Sequence, residues 1–368
     1  MERLKGTAAV ICEFNPFHFG HKFLLDSAKA EYHTVFGIMS GNLVQRGGNA
    51  CADKYLRAAA AVECGFDGVL ELPFPFSSLS ARDFARAGVH IAEETGIETL
   101  VFGAEDEDAV RKASTVVGKA DFDSRIEEII KQNKNLSYPK AFEALLAQDL
   151  GEDIAASVCR PNNILALEYI KSASKRGILN IRIIPRSPNY ASAGALRKEG
   201  VPTEGLPEKA REFFASTVPD GAILDYCAVA AKLYTGDKAI LYGIDESLAG
   251  RITKACRVGA DGKDIVSLCR SANDTDARVR RALISILFGI TKYKAAEMPS
   301  YTLLLAAGEK GRKAVKQMTK QCDFLVGIKP ASLAGVPQFE FALRAERVLR
   351  VLYGSGDPLL RTPYIQGE

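Results

Sequence analysis

Over its first hundred residues the chain alternates short apolar runs with amphipathic stretches, a pattern that few folds accommodate. TAAVICEF (from Thr7), TVFGIMS (from Thr34), DGVLELP (from Asp67) and IETLVFGAE (from Ile97) have the length and composition of buried strands. Between them HKFLLDSAKAEY, KYLRAAAAVECG and ARDFARAGVHIAEETG carry helical periodicity, the last closed by Gly96. Strands and helices alternating at this spacing imply βαβ units. The expected class is therefore α/β, a Rossmann-like parallel sheet with right-handed crossovers and a nucleotide site at the carboxyl ends of its strands.

From Asp106 to about Arg160 the pattern turns polar and helical, an insertion before PNNILALEYIKSASKRG, a helix with Pro161 near its start, and ILNIRIIPRS, a fifth strand. Beyond Ala191 helical patterns dominate. The division this suggests is a catalytic domain over 1–195, with the helical insertion at about 106–160, and a mainly α-helical, basic domain over 196–368. At 368 residues, 47% hydrophobic and 25% charged, the chain can build a sizeable core. The opening MERLKGTAAVIC is too short for a secretory core, and no window approaches the roughly 18 apolar residues of a membrane span. A cytoplasmic protein without a membrane partner is expected. Eight cysteines without a C-x-x-C pair argue against both a zinc knuckle and a disulfide framework. Net charge is only +3, but residues 251–350 hold 19 Lys and Arg against 9 Asp and Glu, an asymmetry that suits a polyanionic partner.

Chemistry concentrates in CEFNPFHFGHKFLL, Cys12 to Leu25, which holds two of the four histidines. The segment falls between the first strand and the first helix, where unpaired N–H groups and the helix dipole favour a phosphate. Gly20 permits close backbone approach. His18 and His21 there can donate hydrogen bonds to a nucleotide and stabilise charge building on an α-phosphate under attack, a transfer that needs positioning more than a covalent nucleophile. The competing readings are two unrelated histidines and a metal pair. The metal pair suits the spacing less, because helical zinc ligands usually sit i, i+4 with a nearby Glu, so no metal site is expected.

HFGH after a first strand resembles the HxGH signature of the nucleotidyltransferase superfamily. EFNPFHFGH, MSGNLVQRG (Met39 to Gly47), DKYLRA (Asp53 to Ala58), ELPFPF (Glu71 to Phe76), FGAE (Phe102 to Glu105) and PNNILALEYI (Pro161 to Ile170) follow in the order seen in the tRNA(Met) cytidine acetate ligases, a resemblance spanning about residues 8–185. It implies activation of acetate by ATP, giving acetyl-adenylate and pyrophosphate, then transfer of acetyl to N4 of the wobble cytidine of elongator tRNA(Met), without acetyl-CoA. Magnesium is expected with the triphosphate; DNA is not an expected partner. The resemblance places the family's ATP-binding segment on Cys12, Glu13, Phe14, Asn15, Pro16 and Phe17, then on Phe19, Gly20, Lys22, Phe23, Leu24 and Leu25. His18 and His21 within it are the catalytic phosphate contacts. It carries further nucleotide contacts onto Gly103, onto an asparagine within Asn162 and Asn163, onto Arg186, and onto Ser192.

In SGNLVQRG, Ser40 and Gly41 should face the ligand edge, while Gln45 and Arg46 can reach acetate or phosphate. Lys54, with Asp53 and Arg57, belongs either to that vicinity or to a salt-bridged, solvated face. Arg278, Arg280 and Arg281, followed by Arg312, Lys313 and Lys316, form basic helical faces that suit tRNA phosphates or plain solvation. Tyr293 and Tyr301 can stack on a base or belong to the core. One segment departs from the superfamily: where I-S-S-T-x-I-R is common, this chain has YASAGALRK, Tyr190 to Lys198, with Gly194 at the hydroxyl position nearest the helix. Two other functions fit the residues, an adenylyltransferase acting on a phosphorylated small molecule and a non-catalytic RNA-binding protein.

Overall fold

The computed structural model describes residues 3–133, 136, 138–177, 179–187, 189–271 and 273–367. The first half runs β1 (Leu4–Cys12), α1 (Phe19–Glu31), β2 (Thr34–Ser40), a small hairpin β3 (Leu43–Val44) and β4 (Gly48–Asn49), α2 (Lys54–Glu63), β5 (Gly68–Leu72), α3 (Ala81–Glu94) and β6 (Ile97–Ala104). Helices α4 (Glu107–Val117), α5 (Phe122–Gln132), α6 (Tyr138–Leu150) and α7 (Glu152–Val158) follow, then α8 (Pro161–Ser174), β7 (Asn180–Pro185) and α9 (Ala193–Lys198). The second half contains α10 (Leu224–Leu233), α11 (Glu246–Arg257), α12 (Gly262–Cys269), α13 (Asp276–Phe288), α14 (Lys292–Ala296), β8 (Tyr301–Ala307), α15 (Glu309–Gln321), β9 (Leu325–Gly327), α16 (Pro337–Tyr353) and β10 (Tyr364–Ile365).

Five strands pair in parallel in the order β5-β2-β1-β6-β7, so the chain reverses direction across the sheet at β1 and β6. Both faces are covered, and side chains along β1 alternate between them. Ala8, Val10 and Cys12 join the core under α1 and α2, while Ala9 and Ile11 join the one under α3 and α8. Burial on both faces is why these strands read as continuous apolar runs. Each buried Leu, Ile or Phe side chain contributes about 1.5–3 kcal/mol relative to exposure.

The second half is not purely helical. Tyr301–Ala307 enters the sheet antiparallel to β5, and β9 and β10 pair with it. EKAREFFAS, which has a helical pattern, forms a 3₁₀ turn over Glu208–Phe214. Among the described residues no helix is long and apolar enough to cross a membrane. All eight cysteines are free thiols, five of them buried.

Candidate active site

The loop from β1 to α1 is shaped by buried aromatics. Phe14 takes a positive φ of 44°, and its ring packs edge-on against Phe17 at 5.0 Å and against His21 at 5.1 Å. Phe14, Asn15, Pro16, Phe17 and Leu25 are buried, as is Cys12, whose thiol faces the carbonyl of Ile38 at 3.7 Å. These side chains build the loop, leaving its backbone and the two histidines to meet a ligand. Glu13 accepts from the Gln45 N–H at 2.8 Å, Lys22 pairs with Asp26, and Leu24 packs against the core.

His18 is the N-cap of α1. Its Nδ1 accepts from the Gly20 N–H at 3.0 Å, and the Nδ1 of His21 accepts from the His18 N–H at 3.3 Å, a reciprocal capping box built from two imidazoles. An Nδ1 that accepts carries no proton, so each neutral ring bears its proton on Nε2, leaving two N–H donors from rings 3.9 Å apart. Burial, with the charges of Arg186 and Arg197 added, pushes His18 down to about 4. Burial, His18 and Arg186 push His21 well below the ordinary imidazole value. Both are therefore neutral donors near pH 7. Gly20 has a spatial reason: a Cβ there would lie 2.8 Å from Cε1 of His18.

At the ends of β6 and β7, Gly103 makes room for another side chain, since a Cβ on it would lie 3.0 Å from Cγ of Arg186. Arg186 donates its N–H to the Ala104 carbonyl at 2.8 Å and places its guanidinium 3.7 Å from Glu105. The two asparagines differ. Asn163 is buried, accepting from the N–H groups of Glu105 (2.8 Å) and Asp106 (3.4 Å) and donating to the Ser157 carbonyl (2.9 Å), so its amide is used within the fold. Asn162 is half-buried and donates to Glu105. Ser192 caps α9 through the Ala195 N–H at 3.2 Å, and Arg197 on that short helix donates to the Asn15 carbonyl. Arg197 thus ties the divergent YASAGALRK segment to the histidine loop.

The segment from Ser40 to Lys54 is bonded closely into the fold. Ser40 and Gly41 are buried at the end of β2, and a Cβ on Gly41 would lie 2.7 Å from Oε1 of Glu71. Lys54 is buried with its ammonium 2.7 Å from Glu71 and 3.3 Å from Glu346 of α16, while Asp53 pairs with Arg361 at 2.9 Å. Burial pulls Lys54 down, but Glu346 and Glu71 outweigh it and hold the ammonium well above its ordinary value. The space left beside Lys54, Glu346 and Arg361 is about 20 Å³, enough for a water. Lys54 is therefore not part of a solvated face: its ammonium is buried and paired with Glu71 and Glu346. Arg57, fully buried, donates to the carbonyls of Glu13, Ser40, Gly41 and Ala52, stitching the ends of β1 and β2 together. Gln45 offers its backbone on both sides, to Glu13 and to Arg281 at 3.1 Å, and Arg46 is exposed. Glu346 and Tyr353, whose hydroxyl donates to the Ala50 carbonyl at 2.8 Å, had no distinguishing pattern in sequence, and Glu71 stood there only as the start of ELPFPF. They become visible once α16 lies over this segment.

The basic residues also separate. Arg278 pairs with Asp245 and Asp274, Arg280 with Asp220, and the half-buried Arg281 donates to the Gln45 carbonyl in the hairpin turn. These pairings engage the three arginines within the fold and hold α13 in place. Arg312, Lys313 and Lys316 lie on the exposed face of α15, where Lys313 makes an i, i+4 pair with Glu309 that solvent keeps weak. Tyr301 is a core residue and Tyr293 is 79% exposed.

The family model described as HIGH Nucleotidyl Transferase matches residues 6–357. Two relatives from Streptococcus pneumoniae, in serotype 19F strain G54 and in strain Hungary19A-6, each named tRNA(Met) cytidine acetate ligase, are 31% identical over 348 residues, covering 87% of this chain and 89% of their own. The crystal structure of Thermotoga maritima TmcAL bound with alpha-thio ATP superposes with a TM-score of 0.88 at 25% identity, covering 99% of both chains. The chain belongs to the HIGH nucleotidyl transferases and, within them, to the tRNA(Met) cytidine acetate ligases. The likeness extends well past the 8–185 stretch legible from motifs, through α16.

Proposed function

We propose that the protein is an ATP-dependent tRNA(Met) cytidine acetate ligase. The observation that carries this reading is the pair of neutral imidazoles at the start of α1, presenting Nε2–H donors at the carboxyl edge of β1 with Arg186 and Arg197 nearby. Such donors stabilise an α-phosphate as negative charge builds on it. A carboxylate oxygen of acetate attacks the α-phosphorus and pyrophosphate leaves. The N4 amine of the wobble cytidine of elongator tRNA(Met) then attacks the acetyl carbonyl, AMP leaves, and N4 loses a proton. Asn162, whose amide is less committed than that of Asn163, is assigned to the nucleotide. Gly103 and Ser192 are assigned to it as well.

Magnesium would arrive on the triphosphate's own oxygens. Among the described residues no group of three His, Cys, Asp or Glu side chains could hold a metal ion, so no step is assigned to one. The half from 196 onward supplies the RNA-facing surface, with Arg312, Lys313 and Lys316 as phosphate contacts. The reaction belongs in the cytoplasm, with its tRNA. Incubation with ATP, labelled acetate and bulk tRNA, followed by nucleoside analysis, should yield labelled N4-acetylcytidine. Pyrophosphate release that requires a phosphomonoester and ignores acetate would replace this reading with a small-molecule adenylyltransferase.

A further inference from the structure

Three aromatic rings stand exposed beside the histidine loop. Phe19 and Phe23, one turn apart on α1, are each 37% exposed, and Tyr190, from the loop between β7 and α9, is 38% exposed. Tyr190 lies near-parallel to Phe19 at 24° with centroids 6.3 Å apart, and 6.1 Å from Phe23. Phe19 and Phe23 belong to the segment assigned to ATP, yet their rings turn outward to Tyr190 while the donors of His18 and His21 serve the phosphate.

The trio adjoins the reacting centre. A Cβ on Gly20 would lie 3.8 Å from Cβ of Tyr190 and 2.8 Å from the His18 ring, so platform and phosphate donor share one glycine between them. Large exposed rings at a substrate mouth suit a partner with flat apolar faces. Along the chain Tyr190 stands between Arg186 and the exposed Lys198, cations suited to phosphates. A surface pairing stacking faces with cations fits single-stranded RNA, whose unpaired bases are held by aromatic stacking and whose backbone is held by charge.

We propose that Phe19, Phe23 and Tyr190 form a stacking platform for an unpaired base of the RNA acceptor, adjoining the cytidine that is modified. This rests on the ligase reading, because an acceptor nucleotide must come to the acyl group of the adenylate whose phosphate the histidine pair holds. Its neighbours in the same loop must then pass over the rim of that site. The contact is to the base face, so it tolerates any base at that position.

The test separates activation from transfer. Tyr190→Ala and Tyr190→Phe are compared with the unaltered chain in acetate-dependent exchange of labelled pyrophosphate into ATP without RNA, and in steady-state acetylation of tRNA(Met). Tyr190→Ala should leave exchange unchanged and raise KM for tRNA by about tenfold or more, while Tyr190→Phe, which keeps the ring, restores it. An equal fall in exchange would assign the ring to the nucleotide, and an unchanged KM would leave it no RNA role; either result overturns the proposal. If the unaltered chain shows no acetate-dependent exchange, it is the ligase reading that fails.

Discussion

Replacing Gly20 by Ala isolates what the histidine geometry contributes. In a helix Ala is better than Gly by about 1 kcal/mol, so stability should hold, but the added Cβ displaces the His18 ring. Acetate-dependent turnover should fall at least tenfold with little change in thermal midpoint, which activity and melting assays read together. The same rings set a pH dependence. His18 is lowered to about 4 when folded and titrates near the ordinary 6.5 when unfolded, so the unfolded chain binds the extra proton between these values. Its contribution to stability is complete above about pH 6.5 and is lost as pH falls toward about 4, at up to about 1.4 kcal/mol per pH unit. Urea midpoints across that window should fall less steeply in His18→Asn. The histidine pair was legible in sequence because its position, between a strand and a helix, gives a weak spacing physical meaning. Asn162 and Asn163 were not separable, because a cap and a ligand use the same amide; the structure distinguishes them by what Asn163 has already bonded.

The segment between β2 and α2 shows how family motifs can be bonded into the fold. Its residues are held from three directions, by Arg57 of α2, Arg281 of α13, and Glu346 with Tyr353 of α16. Lys54 neutralises the buried Glu71 and the half-buried Glu346 at once, so its loss leaves both carboxylates without their cation. Lys54→Ala should destabilise by about 3–5 kcal/mol. Glu346→Gln should cost less, because Glu71 still pairs with the ammonium and burial already raises the Glu346 carboxyl above its ordinary value. Denaturant midpoints of the two variants decide this, and equal losses would refute the assigned order. Sequence could not reveal the cluster because its partners lie far apart along the chain, Lys54 and Glu346 at opposite ends. The strand Tyr301–Ala307 escaped for a related reason: a seven-residue apolar run among helices has no periodicity to mark it, and pairing with β5 decides its conformation.

On the scale of the whole molecule, α16 and β8 return the second half to the sheet, so both halves of the chain are built on one sheet. The five parallel strands were readable from local pattern, whereas this return depends on long-range pairing that local pattern does not encode. The basic surface narrows in consequence to α15. Lys316→Glu should weaken tRNA binding across RNA sequences and reduce the slope of log affinity against log salt by about 1, whereas Arg280→Ala should chiefly lower stability. Filter binding at several salt concentrations, beside melting curves, separates the two. The central claim, that a neutral histidine pair at the β1–α1 turn supports adenylation of acetate, is tested most directly by acetate-dependent exchange of labelled pyrophosphate into ATP in the absence of RNA. The unaltered chain should exchange only with acetate present, and His18→Ala and His21→Ala should lose exchange while binding tRNA almost normally. Full exchange in either variant, or exchange indifferent to acetate, would contradict the account.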